Sequence, residues 1–256
     1  MLITVGSIKS GAATTTALAL GATWPTDAQV VVVEADPKGG DLAAKFGLER
    51  EPDLVSLSVA ARRDHDVSVI SGHAQALPGG LRVVAAPPGT DQAASAVGLL
   101  GRDAGPLWSA AAESEDLVVI VDVGRLDPGS AAQALVAASG ALVLVARPDL
   151  AEAHALAARL DHLIAGAEAS GTRLHLVLHG DGYSTDQVSA SLAYPVSARL
   201  PRDAKAAAIL SGTSSGELRK CALARTAHDL GRTLSAEHAA AAAPDPSHAD
   251  ALEEAV

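Results

Sequence analysis

Short runs of Val, Leu and Ile recur along this chain, each followed by a longer stretch rich in Ala and Leu. The runs are LITV (2–5), VVVVEA (30–35), LRVVAA (81–86), LVVIVDV (117–123), ALVLVA (141–146), LHLVLH (near 175–180) and PVSARL (195–200). Segments long enough for helices lie at 15–22, 53–63, 90–100, 130–139, 149–169, 184–193 and 203–211. Strands without a polar alternation are buried on both faces, and strands separated by helices pair in parallel. The pattern predicts an α/β fold, a doubly wound, mostly parallel sheet with helices on both faces.

Composition fits that expectation. Aromatic residues make up 2% of the chain and hydrophobic residues 48%, so the core is built from Ala, Val, Leu and Ile. One domain is expected over residues 1–233, followed by an acidic, Ala/Pro-rich tail over 234–256 that is disordered or only partly helical. Cys221 is the single cysteine, which excludes an internal disulfide and suggests a reducing, cytoplasmic setting. No stretch approaches the roughly 18–20 apolar residues of a membrane span. The net charge of −11 argues against whole-surface attraction to nucleic acid or anionic lipid.

Ligands of such sheets sit at the carboxyl ends of the strands, so the residues after each run carry the functional information. The first run leads into IKSGAATTT, residues 8–16. A phosphate-binding P-loop, G-x-x-x-x-G-K-[ST], belongs at this position, but its four defining slots hold Ile8, Ala13, Thr14 and Thr15. The second run ends in EADPKGGD (34–41), the fourth in Asp122-Val123-Gly124 and the fifth in Arg147-Pro148-Asp149.

These elements in this order resemble the ParA/MinD family of deviant Walker ATPases, over roughly residues 1–233. The family's loop K-G-G-x-G-K-T-[ST] is matched by Lys9, Ser10, Gly11, Ala12, Ala13, Thr14, Thr15 and Thr16. Its D-x-D-P-x-G element is matched by EADPKGGDL, its Walker B strand by VVIVDVG, and its late P-V-x-x-x-[IL]-P-x-D element by PVSARLPRD. The resemblance implies that loop amides and the positive end of the next helix cradle phosphates. It implies a cross-dimer signature role for Lys9 and a water-orienting role for Asp36. By the same resemblance Thr15, Asp36 and Asp122 serve Mg²⁺, and Pro201 and Asp203 lie near the adenine.

The sequence departs from the family at Thr14, where a lysine contacts the β- and γ-phosphates. Phosphoryl transfer rests on positioning and charge neutralisation, and loss of one electrostatic stabiliser costs about 10²–10³ in rate. A hydroxyl offers one neutral hydrogen bond, roughly half as strong as a charge-assisted one. Ser10 and Ala13 also replace glycines, adding a Cβ where backbone meets phosphate. The expectation is a pseudo-ATPase with no cofactor, acting as a dimerising scaffold or adaptor in bacterial positioning, partition or assembly of a cell-envelope machine. Its dimer face would lie around Lys9, 36–41 and 124–130. Because Lys9, Thr15, Asp36 and Asp122 persist, an ATP- and Mg²⁺-dependent dimer switch with weak hydrolysis remains the alternative. Asp36 and Asp122 also have a plain reading, as carboxylates that fix loops. A dinucleotide-dependent oxidoreductase would require G-x-G-x-x-G after the first strand, which is missing.

Residues 201–235 carry six Lys/Arg against three Asp/Glu. Arg219, Lys220, Arg225 and Arg232 form a candidate patch for weak, salt-sensitive DNA binding or for a partner, against the plainer reading of a solvated helix face. The terminal ALEEAV offers no basic, bulky anchor, so membrane anchoring of the MinD type is not expected. His175 and His179 lack further ligands for a metal. Cys221, Trp24 and Trp108 are expected in the core.

Overall fold

The computed structural model describes residues 1–9 and 12–242. In chain order its elements are β1 (Leu2–Ser7), α1 (Ala13–Ala22), β2 (Gln29–Glu34), α2 (Leu42–Phe46), α3 (Leu54–Ala60), α4 (Ser68–Gly72) and β3 (Gln75–Ala76). There follow β4 (Arg82–Val84), α5 (Thr90–Asp103), α6 (Gly105–Glu113), β5 (Leu117–Arg125), α7 (Gln133–Ala138), β6 (Ala141–Ala146), α8 (Leu150–Ala157) and α9 (Leu160–Ser170). The chain continues with β7 (Arg173–His179), α10 (Thr185–Leu192), β8 (Val196–Leu200), α11 (Ala204–Leu210) and α12 (Ala222–Ala242).

The eight strands form one sheet in the order β3-β4-β2-β5-β1-β6-β7-β8. Every pairing is parallel except β3 with β4. Each of the seven apolar runs becomes a strand, and the two-residue β3 adds an edge that no run signals. Successive side chains divide between the two faces, as a two-residue period requires. Leu2, Val31, Val33, Val119 and Val121 pack with Leu54, Leu57, Leu100 and Trp108. Ile3, Val5, Val32 and Ile120 pack on the other side with Leu18, Leu20, Leu223 and Leu230. The sheet is therefore covered on both faces by aliphatic helices.

Trp24, Trp108 and Cys221 are buried, and the Trp108 indole donates to the Leu100 carbonyl at 2.9 Å. The stretch 149–169 folds as two helices rather than one. Arg159 takes φ −131° between α8 and α9 and turns its guanidinium onto the Leu126 carbonyl. The boundary expected at 233/234 falls inside α12, which continues to Ala242. Leu234 is buried against the second core layer, so packing carries the helix beyond the compositional break. The remainder of the expected tail, 243–256, lies outside the described residues.

β1 lies between β5 and β6. The chain leaves β1 towards β2 on one side, while β5 leads across β1 to β6 on the other. The connections thus diverge at the carboxyl end of β1, where a crevice forms in doubly wound sheets.

Candidate functional site

The site begins where β1 passes into α1. Gly6 is forced by neighbours, since a Cβ would stand 2.9 Å from Val123 and 3.0 Å from Leu126. Ser7 and Ile8 are buried and Lys9 is exposed. The Ser7 hydroxyl leans on the Gly124 carbonyl at 3.4 Å. Ser10 and Gly11 lie outside the described residues. Ala12 precedes helix α1 and supplies no side-chain cap, and the helix has no acidic residue in its first turn. Among the described residues its first amides are therefore without the N-cap side-chain acceptor that usually satisfies a helix start. Ala13 is buried, Thr14 and Thr15 are half-buried, and Thr16 is fully buried. The Thr16 hydroxyl has no hydrogen-bond partner among the described residues.

Asp122 faces this start from β5 and is 1% exposed. Its Oδ1 accepts from the Gly124 amide at 3.0 Å, and its Oδ2 has no full hydrogen bond among the described residues. Burial pushes its pKa up to about 7, and the nearby carboxylates of Glu34 and Asp36 push the same way. The Thr14 hydroxyl lies close enough to favour the charged form and, with the Gly124 amide, opposes that rise. Thr14 thus puts a neutral dipole beside a buried acid.

Glu34, at the end of β2, is 3% exposed and works as a clamp. Oε1 accepts from the amides of Asp41 (2.9 Å) and Leu42 (3.3 Å), and Oε2 from that of Ala86 (2.9 Å). Burial raises its pKa, against the pull of those three amides. Gly40 is required beside it, because a Cβ there would collide with Oε2. Glu34 is not among the residues that the motifs single out. The adjacent glycine pair was the available signal.

Asp36 accepts from the Lys38 amide at 2.8 Å and lies over Gly124, whose φ of +58° and absent Cβ make room for it. Burial raises the Asp36 pKa, opposed by the Lys38 amide and the Lys38 charge. Beyond it Asp127 joins two cations, with Lys38 Nζ at 2.8 Å and Arg125 Nε at 2.7 Å. These cations hold the Asp127 carboxyl below its ordinary range, the Lys38 interaction contributing most. Lys38, Arg125 and Asp127 were not singled out in the sequence, and no pattern marks them as a group.

Thr14, Asp36 and Asp122 are thus brought together, while Lys9 is exposed and Thr15 half-buried in the segment that joins β1 to α1. Asp203 makes different contacts. Its Oδ1 caps α11 by accepting from Ala206 N (3.0 Å), and its Oδ2 accepts from Ala222 N (2.9 Å) and Leu223 N (3.3 Å) at the start of α12. Both oxygens are engaged in joining two helix starts, and Pro201 is half-buried just before them. Arg219, Lys220, Arg225 and Arg232 are exposed, with Lys220 paired to Glu217 at 2.9 Å. His175 is buried, 3.3 Å from Glu237. Among the described residues no group of three His, Cys, Asp or Glu could hold a metal, and no helix is long and apolar enough to cross a membrane.

By sequence, no family model and no curated protein matches the chain. By structure, it is similar to a ParA family ATPase from Chlorobium tepidum TLS, with a TM-score of 0.71 and 20% identity over 90% of this chain and 97% of that one. It is similar to the MinC:MinD cell division protein complex of Aquifex aeolicus, at 0.65 and 14%, over 92% and 95%. The ATP complex of a Cyanothece McdA variant matches at 0.65 and 17%, over 91% and 95%. The chain has the fold of ParA- and MinD-type P-loop proteins. The doubly wound sheet expected from the sequence is the one found.

Proposed function

We propose that this protein is a ParA/MinD-like pseudo-ATPase that acts as a dimerising scaffold or adaptor in bacterial positioning, partition or assembly of a cell-envelope machine. One observation carries the reading. The slot of the phosphate-contacting lysine holds Thr14, set beside a buried Asp122 on which the Glu34 and Asp36 carboxylates also bear. Such a crevice lacks the local cation that a triphosphate requires and already concentrates negative charge. The Asp36 and Asp122 contacts with Lys38 N and Gly124 N are those of loop-fixing carboxylates, which agrees with a site that keeps its frame without its chemistry. In this reading the homodimer closes through Lys9, 36–41 and 124–130 without nucleotide. The exposed cations Arg219, Lys220, Arg225 and Arg232 contribute at most weak contact with DNA or a partner, in a cytoplasmic protein.

The second reading is an ATP-dependent dimer switch. It draws on the exposed Lys9, on the uncapped start of α1 and on the ATP of the similar McdA structure. In it, Thr15, Asp36 and Asp122 serve Mg²⁺, Asp36 orients water, and the base lies beside Pro201 and Asp203. Sedimentation velocity with and without MgATP separates the two. The scaffold gives the same distribution in both conditions. A shift from monomer to dimer on adding MgATP, abolished in Lys9→Ala, would establish the switch.

A further inference from the structure

A groove of 970 Å³ opens between α2, α3 and α5, on the β4 side of the sheet. Its floor is small, made of Ala85, Ala86 and Ala96, so a backbone can approach closely. One wall is α3, where Val55 is 37% and Val59 57% exposed. The two stand four residues apart, hence on one face of the helix, and they are two of the four exposed large hydrophobic residues among those described. The opposite wall is α5, whose Asp91, Ser95 and Leu99 recur at the same spacing along the groove. Charge on the lining is one-sided, with Glu49, Glu51, Asp53 and Asp91 against Arg50 alone.

We infer that this groove docks a basic amphipathic helix of a protein partner, apolar residues inward and Lys/Arg towards the acidic rim. The apolar ridge and small floor suit helix-in-groove recognition, and the rim supplies the complementary sign of charge. Acidic and apolar-free segments fit neither.

The groove floor is bonded to the loop that carries Asp36. Glu34 accepts from Ala86 N through one oxygen and from Asp41 N through the other, each at 2.9 Å. Gly40 N donates to Pro87 O at 3.0 Å, and the Thr90 hydroxyl donates to Lys38 O at 3.1 Å. A helix seated on residues 85–96 therefore acts on 36–41, part of the proposed dimer face, through a clamp already in place. The docking itself stands whether or not the crevice holds nucleotide.

The test uses the full chain without nucleotide and a fluorescein-labelled peptide about 18 residues long, five helical turns. The peptide is built from Leu and Lys with the leucines on one helical face. A second peptide has the same composition with the leucines scattered, and a third carries Glu in place of Lys. Anisotropy should show the first binding at least about tenfold more tightly than either control. Val55→Gln/Val59→Gln, which leaves the charge unchanged, should weaken it about tenfold, and Asp91→Lys should weaken it in a salt-dependent way. Circular dichroism checks that both variants stay folded. Hydrogen exchange should slow at the amides of Gly40, Asp41 and Ala86 when the peptide is bound. The inference is overturned if the scattered or acidic peptide binds as well as the patterned one. It is overturned equally if the valine variant binds unchanged or the patterned peptide does not bind.

Discussion

Two loops at the carboxyl edge of the sheet, after β1 and after β8, each start a helix, and they do so with opposite chemistry. After β8, Asp203 satisfies amides of α11 and α12 together, and these contacts depress its pKa, the Ala206 amide most of all. After β1, α1 begins with no side-chain cap among the described residues, and the carboxylate facing it, Asp122, has its pKa pushed up by burial to about 7. The loop after β8 is finished by its own side chains. The loop after β1 leads instead to a buried acid beside the neutral Thr14 hydroxyl.

The opposite pKa shifts give opposite pH dependences. Asp122 is protonated more readily in the folded state, so its contribution falls as pH rises from about 4 to about 7 and is flat above that. Asp122→Asn keeps an acceptor for Gly124 N and removes the buried charge. It should be more stable than the parent at pH 8, by up to about 4 kcal/mol, with the gap closing towards pH 5. Urea denaturation at both pH values measures this, and a gap unchanged with pH would show that Asp122 is not the titrating group. Thr14→Lys should act in the same direction by supplying a counter-charge, stabilising the protein chiefly above pH 7.

Asp203→Ala, at the finished loop, should cost about 2 kcal/mol at pH 7, as expected for losing a cap and two further charge-assisted bonds. Because the folded pKa of Asp203 is lowered, the cost should shrink as pH falls below about 4. A cost that persists at pH 3 would separate the residue from the linkage assigned to it.

A smaller effect is expected at Thr16, whose buried hydroxyl is unpartnered among the described residues. Thr16→Val should raise stability by about 0.5–1 kcal/mol, and a loss of that size would mean the hydroxyl is satisfied. Smallest of all, Asp127→Ala should change stability by less than about 1 kcal/mol, since Lys38 and Arg125 are exposed partners. A larger change would place that triad among the structural parts of the crevice.

The strands were legible because uninterrupted Val/Ile/Leu runs have one comfortable home, a sheet covered on both faces. Helices α2, α4 and α6 were not. The first two have five residues each, too few to show a period, and α6 opens with Gly105-Pro106, which in sequence reads as a break. In α6 the proline instead occupies the first turn, where its missing N–H costs nothing. In the candidate site, Lys9, Thr14, Asp36 and Asp122 stand out in the sequence because motif spacing singles them out. The Glu34 clamp, the Lys38–Asp127–Arg125 triad and the reach of Asp203 to Ala222 were not, because each joins segments that only the folded chain brings together.

In the proposed reading, Thr14 deprives the crevice of the positive charge a triphosphate needs. Titration of a fluorescent ATP analogue with Mg²⁺ into the parent protein and into Ala13→Gly/Thr14→Lys tests it directly. The parent should show no binding in the micromolar range, and the double variant should bind measurably. Micromolar binding by the parent, accompanied by steady phosphate release, would contradict it.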